Sequence, residues 1–455
     1  MFKLLLTVLF AALAVQALQL PPEPKLPTKL CATLKASLKE GPVGHLHDSD
    51  ESKPDTKRIQ TALDHCTSGQ AVKLVKGDGD AFLSGALNLP SGVTLWIDAG
   101  VTLFASRNPR DFDKSQKSCG VIAHANDGCR PLISVKGGRN SAIVGDGVID
   151  GRGGQTMIGS DVSWWQLASK VKQSGTDRSS PMLIVVEQSA DFVLYRIRLH
   201  NSPFWHFSTE GVDGMIIWGV QVDTPPKAYP TSTHAPNTDA LDPNGKNIVI
   251  TQCYLHSGDD NIAIKGQRYP NANILIEDNH FYSGHGMSIG SEINQGAVNV
   301  TVRKLSIDGS QNGLRIKSDA SKGGDVRGVL YENVCIRNTA KPLVFNTYYS
   351  KRSGSKVPIF HDIHVTKTHI LSSSEKSFIF QGFDKEHPLK INFDNVVNGA
   401  TPKGWIASNV EVTLGPGEVS GLPFKADQHN NVKVFGHAGK STPVDCSKAF
   451  VPFPR

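Results

Sequence analysis

From about Asn140 onward, short runs of β-branched and aliphatic residues alternate with clusters of Gly, Asn and Asp, and the alternation recurs. Three consecutive units stand out. Asn247-Ile248-Val249-Ile250 leads to Gly258-Asp259-Asp260-Asn261-Ile262-Ala263-Ile264. Asn273-Ile274-Leu275-Ile276 leads to Gly284-His285-Gly286-Met287-Ser288-Ile289. Val298-Asn299-Val300-Thr301-Val302 leads to Gly313-Leu314-Arg315-Ile316-Lys317. Looser units precede them (Ser141 to Ile149, Met182 to Val186, Phe192 to Ile197, Met215 to Val222), and another runs from Val329 to Val334 and on to Leu343-Val344-Phe345. Apolar runs of this length bounded by turn residues read as strands. The step from Gly258 to Gly284 is 26 residues and that from Gly286 to Gly313 is 27, a period of stacked architectures. Strands without intervening helices exclude a βαβ fold, and a propeller blade needs about 40 or more residues. The pattern predicts an all-β chain wound as a single-stranded parallel β-helix. Equivalent positions of successive turns then lie about 4.8 Å apart, so Asp260, His285 and Arg315 are expected to line up across one face as a groove.

One helix is predicted, from Asp55 to Cys66. Asp55 or Thr56 would cap it, and Ile59, Ala62, Leu63 and Cys66 fall on one face. It would cover the amino-terminal end of the coil, where strand edges are unpaired. Residues 18–54, with the proline-rich Leu20 to Lys29, are expected to be irregular, and residues 55–455 to form one β-helix domain. Such a length suits a solenoid, in which each layer contacts only its neighbours. Pro402 to Arg455 carries no readable motif.

Met1 to Ala17 reads as a secretory signal peptide: Lys3, an apolar run from Leu4 to Val15, and small residues at Val15-Gln16-Ala17. The run is too short for a membrane span, so a secreted, extracellular protein without a membrane anchor is expected. The formal net charge is +6, or +5 once Lys3 is removed, a mild excess that attracts an anionic substrate. No Lys/Arg block resembles a nucleic-acid footprint. Of seven cysteines, Cys31 with Cys66 and Cys119 with Cys129 are paired on proximity. The odd count leaves at least one unpaired, and none has metal-ligand spacing.

The chemistry-bearing residues occur in order: Asn237-Thr238-Asp239, Gly258-Asp259-Asp260, Gly284-His285-Gly286, Arg315-Ile316-Lys317. Taken singly, each is ordinary turn or surface material. Together they place three carboxylates, an imidazole and two cations on one predicted face. Like charges held close raise at least one carboxylate pKa, giving a protonated acid beside an ionised base, the division of labour that glycosidic hydrolysis needs. Arg315 and Lys317 alternate with Ile316, so both face one way while Ile316 points inward. An arginine can clamp an acidic sugar's carboxylate bidentately.

These four motifs, in this order and spacing, resemble the polygalacturonases of glycoside hydrolase family 28. Asp150-Gly151-Arg152-Gly153 with Trp164-Trp165, Asn201-Ser202-Pro203-Phe204-Trp205 and Ile262-Ala263-Ile264-Lys265 support the resemblance. It runs from about Asp55 to about Tyr349, and more weakly to about Val397. It implies a right-handed parallel β-helix of the pectin-lyase-like kind and inverting hydrolysis of α-1,4-linked galacturonic acid in pectin by a monomer, with no cofactor and no metal. Asp259 would be the general acid, Asp239 and Asp260 would activate water, and His285 would support the acid. Arg315 and Lys317 would bind the substrate carboxylate, with Asn237 and Tyr348 also contacting substrate. Internal cutting is expected, although the Pro-, Thr- and His-rich Thr224 to Pro236 segment could close one end of a groove and give exo cleavage. Three rival functions share this architecture: a rhamnogalacturonase-like hydrolase, a calcium-dependent pectate lyase, and a non-catalytic binder, which should have lost one of the three carboxylates.

Overall fold

The computed structural model describes residues 19–41, 44–174, 176–225, 234–350, 352–373, 375 and 377–454. The expected signal peptide at Met1 to Ala17 and residues 226–233 of the Thr224 to Pro236 segment lie outside them.

The chain is a parallel β-helix. Eleven strands stack into one sheet on the face that carries the site: β1 (Leu87–Asn88), β2 (Ile133–Lys136), β3 (Ile184–Glu187), β4 (Phe207–Glu210), β5 (Leu241–Asp242), β6 (Ile262–Ile264), β7 (Met287–Gly290), β8 (Asn312–Lys317), β9 (Lys341–Asn346), β10 (Ser377–Gln381) and β11 (Gly404–Ser408). Each pairs in parallel with the next, and a 21-stranded sheet forms the remaining walls. Register decides which side chains enter the core. Ile264, Ile289, Ile316, Phe345 and Phe380 fall in one column and are all fully buried. With the parallel column Ile262–Met287–Leu314–Leu343 they form a dry stack along the axis.

The Asn residues near the start of the repeating units sit inside strands of the larger sheet, at positions that the parallel register skips. Asn247, Asn273 and Asn299 each hold φ of 57°, a left-handed conformation that asparagine tolerates. They form a ladder: Asn299 Nδ2 donates to Asn273 Oδ1 at 2.8 Å, and Asn273 Nδ2 to Asn247 Oδ1 at 3.1 Å.

The coil begins earlier than the hydrophobic pattern indicates. Leu30–Lys35 already pairs in parallel with Ala71–Val75, inside the segment expected to be irregular. The early strands are short and unevenly spaced, which hides their period. The predicted helix is α1 (Thr56–His65), burying Ile59 and Leu63. Its expected side-chain cap is absent, because Asp55 has helical backbone angles. The Asp55 carboxylate instead accepts from Arg58 Nε at 2.6 Å and from the Leu83 amide at 2.9 Å, tying the helix to the coil. A second helix, α2 (Trp164–Ser174), is not among the predicted elements, although Trp164, Leu167, Ala168 and Val171 stand at helical spacing and are buried. Trp164 and Trp165 are buried at its start, and Trp165 Nε1 donates to the Ser202 carbonyl.

Both expected disulfides are present, and a third, Cys335–Cys446, escapes a proximity argument because its partners lie 111 residues apart. It fastens a carboxyl-terminal strap that runs back along the coil. Asn395 reaches the Thr442 carbonyl, His369 the Val444 carbonyl, and Tyr282 the Val451 carbonyl. Cys253 is free and fully buried, and burial pushes its thiol up to about 12, so it is inert.

Candidate active site

Asp239, Asp260 and His285 each stand two residues before a paired inward residue: Leu241 on β5, Ile262 on β6 and Met287 on β7. Their alignment across three turns follows from that register. The turns carrying them are locked together by Asn261, which is fully buried. Its Nδ2 donates to the Leu255 and Ser283 carbonyls, and its Oδ1 accepts from the Gly286 amide. Both glycines beside His285 are required. A Cβ on Gly284 (φ 149°) would lie 2.5 Å from the Asn261 side chain, and one on Gly286 (φ 82°) 2.1 Å from the Asn312 carbonyl.

Arg315 is not at the position equivalent to His285, as the repeat suggested. It pairs with Ser288, three residues further along the strand. Asp242, Ala263, Ser288 and Arg315 each follow an inward residue by one position and form a column. Two positions on, Gly290 pairs with Lys317, and Lys265 follows directly after the end of β6. Gly290 leaves no side chain between Lys265 and Lys317. Arg315 reaches across the short Ser288, with Nε 2.9 Å from Ser288 Oγ, and its Nη2 donates to Asp260 Oδ1.

The carboxylates occupy three environments. Asp260 accepts from Arg315, from Lys317 Nζ at 2.8 Å and from Ser288 Oγ at 3.0 Å. Burial would raise its pKa, but the charges of Arg315, Lys317 and Lys265 outweigh it and hold the carboxyl far below its usual range. Asp259 accepts its neighbour's backbone N–H at 3.0 Å and lies 2.9 Å from His285 Nδ1. Burial again pushes upward, and the hydrogen bond and charge of His285 bring the net shift down. Asp239 is pushed up to about 7 by burial and by the like charges of Asp259 and Asp260, against Lys265 and Lys317. Its Oδ1 has no hydrogen-bond partner, and Lys265 Nζ is 3.3 Å from its Oδ2.

Lys265 is the centre of a network that the sequence motifs do not assign to the site. Its ammonium lies 3.3 Å from Asp239, 3.5 Å from Glu292 and 3.9 Å from Asp242, and 4.9 Å from the Trp205 ring centroid. Asp242 is fully buried with both oxygens unbonded, and burial raises its pKa well above normal against the pull of Lys265. Extending the Arg315/Lys317 alternation two turns back would have pointed to Lys265; no sequence signal marks Glu292, which lies beyond the end of β7. The tyrosine beside the cations is Tyr349, whose ring centroid is 4.9 Å from Lys317 Nζ and 5.9 Å from the Arg315 guanidinium. Tyr348, the expected residue, turns away: it stacks on Phe383 at 5.6 Å and donates to the Phe383 carbonyl. Both lie in the turn that follows β9, which directs the two rings to different neighbours. Asn237 is half-buried, and its Oδ1 accepts from Arg178 Nη2 at 3.2 Å.

Ligand atoms of Asp259, Asp260 and His285 lie within 4.8 Å of one another. A calcium ion there would need six to eight oxygens, yet Asp260 already spends both of its own on Arg315 and Lys317. The donor set does not fit a dication. What it can do is hold one carboxylate ionised while a neighbour keeps a proton.

The raised pKa of Asp239 carries a stability consequence. The folded chain binds this proton up to about pH 7 and the unfolded chain only to about 3.8, so stability falls as pH rises between those values. Asp239→Asn should therefore be more stable than the parent at pH 8, by about 1–3 kcal/mol, and no more stable at pH 4. Calorimetry at the two pH values checks this; equal melting temperatures at pH 8 would disprove it.

Known proteins resemble the chain over most of its length. The family Glycosyl hydrolases family 28 matches residues 66–418. A polygalacturonase of Ralstonia solanacearum is 40% identical, over 94% of this chain and 92% of that protein. An endo-polygalacturonase of Pectobacterium carotovorum subsp. carotovorum is 41% identical, over 86% of this chain and 91% of that protein. The solved structure of a polygalacturonase from Erwinia carotovora ssp. carotovora superposes with a TM-score of 0.71 at 37% identity, covering 94% of this chain and 98% of that one.

Proposed function

The chain belongs to family 28 of the glycosyl hydrolases, and on that premise we propose that it is an internally cutting polygalacturonase that cleaves α-1,4 bonds of polygalacturonate with inversion. The observation that carries the proposal is the divergence of three carboxylates in one cluster: Asp260 kept ionised by Arg315 and Lys317, Asp239 raised towards neutrality, and Asp259 against His285. Asp259 protonates the leaving oxygen, and His285 Nδ1 orients it. Asp239 and Asp260 hold and activate the attacking water. Inversion needs about 6.5–9.5 Å between acid and base to admit that water. Arg315 and Lys317 retain N–H groups beyond those given to Asp260 and Ser288; these take the galacturonate carboxylate, with Tyr349 over them and Asn237 at the other side of the acids.

A second assignment is favoured by one observation. Without substrate, burial and like charge favour the proton on Asp239 rather than Asp259, which would make Asp239 the donor. In a coupled cluster the proton belongs to the group as a whole, and substrate brings a further carboxylate into it.

Export supports the substrate reading. The apolar Met1 to Ala17 segment has the form of a secretory signal, three disulfides suit an oxidising compartment, and no helix among the described residues is long and apolar enough to cross a membrane. The test is a short digest of polygalacturonate followed by sizing of the products. A ladder of oligomers is expected. Monomer or dimer alone would replace internal cutting by end cutting, and unsaturated, ultraviolet-absorbing products would replace hydrolysis by elimination.

A further inference from the structure

Arg178 lies outside the repeating coil, on a short antiparallel ribbon formed by Ile122–Ala123 and Asp177–Arg178. The ribbon is extended by the Gly120 amide on the Ser179 carbonyl, the Ser179 amide on the Val121 carbonyl, and the Ser180 amide on Asn126 Oδ1. The loop supplying the other half is closed on itself by Cys119–Cys129, with Cys119 fully buried. A covalently closed loop therefore holds the strand that bears Arg178. The arginine side chain is 6% exposed. Its guanidinium lies 4.6 Å from the Phe204 ring centroid, and its Nη2 donates to Asn237 Oδ1 at 3.2 Å.

We propose that Arg178 is a positioning residue for the cleavage reaction: it fixes the orientation of the Asn237 amide at the edge of the carboxylate cluster and sets a positive charge near Asp239 and Asp259. This rests on the functional reading given above. A guanidinium can only donate, so the oxygen of Asn237 must face Arg178 and its NH2 end must face away, presented as a donor. Asn237 itself holds φ of 56°, a conformation that a bonded side chain helps to keep, and Asp239 follows two residues later. The only carboxylate in ion-pair distance of Arg178 among the described residues is its neighbour Asp177, at 3.5 Å and 41% exposed, a contact that water weakens. Its charge is felt by Asp239 and Asp259 as well as by Asp177. Lysine could supply the charge, but not the flat stacking on Phe204 together with a directed N–H.

The experiment measures kcat, KM and the pH dependence of kcat/KM on polygalacturonate for the parent, Arg178→Met, Arg178→Lys, Asn237→Ala and the double variant Arg178→Met/Asn237→Ala. Loss of a nearby cation raises carboxylate pKa values, so in Arg178→Met the acidic limb should move to higher pH by on the order of half a unit or more. KM should rise several-fold, and the double variant should be no worse in KM than the poorer single variant, because both remove one interaction. Arg178→Lys should restore the acidic limb but not KM. An unmoved limb with additive KM effects would overturn the proposal. Should Arg178→Met fail to fold, Arg178→Lys decides alone: a raised KM supports the proposal and a parental KM overturns it. Failure of the underlying functional reading looks different, since the parent itself would then leave polygalacturonate uncut.

Discussion

Asp259→Asn should cut polygalacturonate about 10²–10⁴-fold more slowly than the parent, the range for losing a general acid or base, while melting at an unchanged temperature. The fold should tolerate the change because Asn retains Oδ1, the atom that accepts the Asp260 amide and faces His285. The same pair of carboxylates also decides which group gives the proton. A nitrophenyl glycoside of a galacturonate oligomer has a leaving group that departs without protonation. If Asp259 is the acid, Asp259→Asn should be nearly as fast as the parent on this substrate, and Asp239→Asn should be slow on both. If the proton starts on Asp239, the two variants exchange behaviour. A parental rate for Asp259→Asn on the polymer would remove Asp259 from the chemistry altogether.

Lys265→Met should lower stability at pH 7 by about 3–5 kcal/mol, the cost of removing one partner from a buried charge network. The ammonium is buried among Asp239, Asp242 and Glu292. Burial alone would lower its pKa, and the three acids, Asp242 foremost, instead hold it well above normal. Without it, Asp242 and Asp239 keep no nearby cation within ion-pair distance among the described residues, whereas Glu292 keeps Lys322. Both orphaned acids can escape the penalty by taking up protons. The loss should therefore shrink at pH 4, and the acidic limb of the activity profile should move to higher pH, since removing a cation raises the pKa of Asp239. Urea midpoints at pH 4 and pH 7 measure the difference. Equal destabilisation at both pH values would mean that Lys265 acts through packing on Trp205 rather than through charge.

Much of the coil is legible because a β-helix writes its register into the chain. The asparagine-led units, the 26- and 27-residue steps and the Arg315-Ile316-Lys317 alternation each reflect local backbone geometry, and local geometry depends on nearby residues alone. The disulfides divide on the same line: Cys119–Cys129 closes a short loop, whereas Cys335–Cys446 depends on a tail doubling back over several turns. Trp164-Trp165 is read as a motif and not as a helix start, although Trp164, Leu167, Ala168 and Val171 recur at helical spacing and are all buried.

The sequence by itself determined the kind of architecture, because strand period and turn chemistry are short-range properties, and it supplied Asp239, Asp259, Asp260, His285, Arg315 and Lys317 as candidates. Only the tertiary structure decided who faces whom: Arg315 in register with Ser288, Tyr349 in place of Tyr348 beside the cations, Lys265 between three acids, and Arg178 brought to Asn237 by a ribbon outside the repeat. The electrostatics followed from those placements. Charges act through space over a few ångströms and are strengthened by burial, and neither separation nor burial is written in the order of residues along a chain.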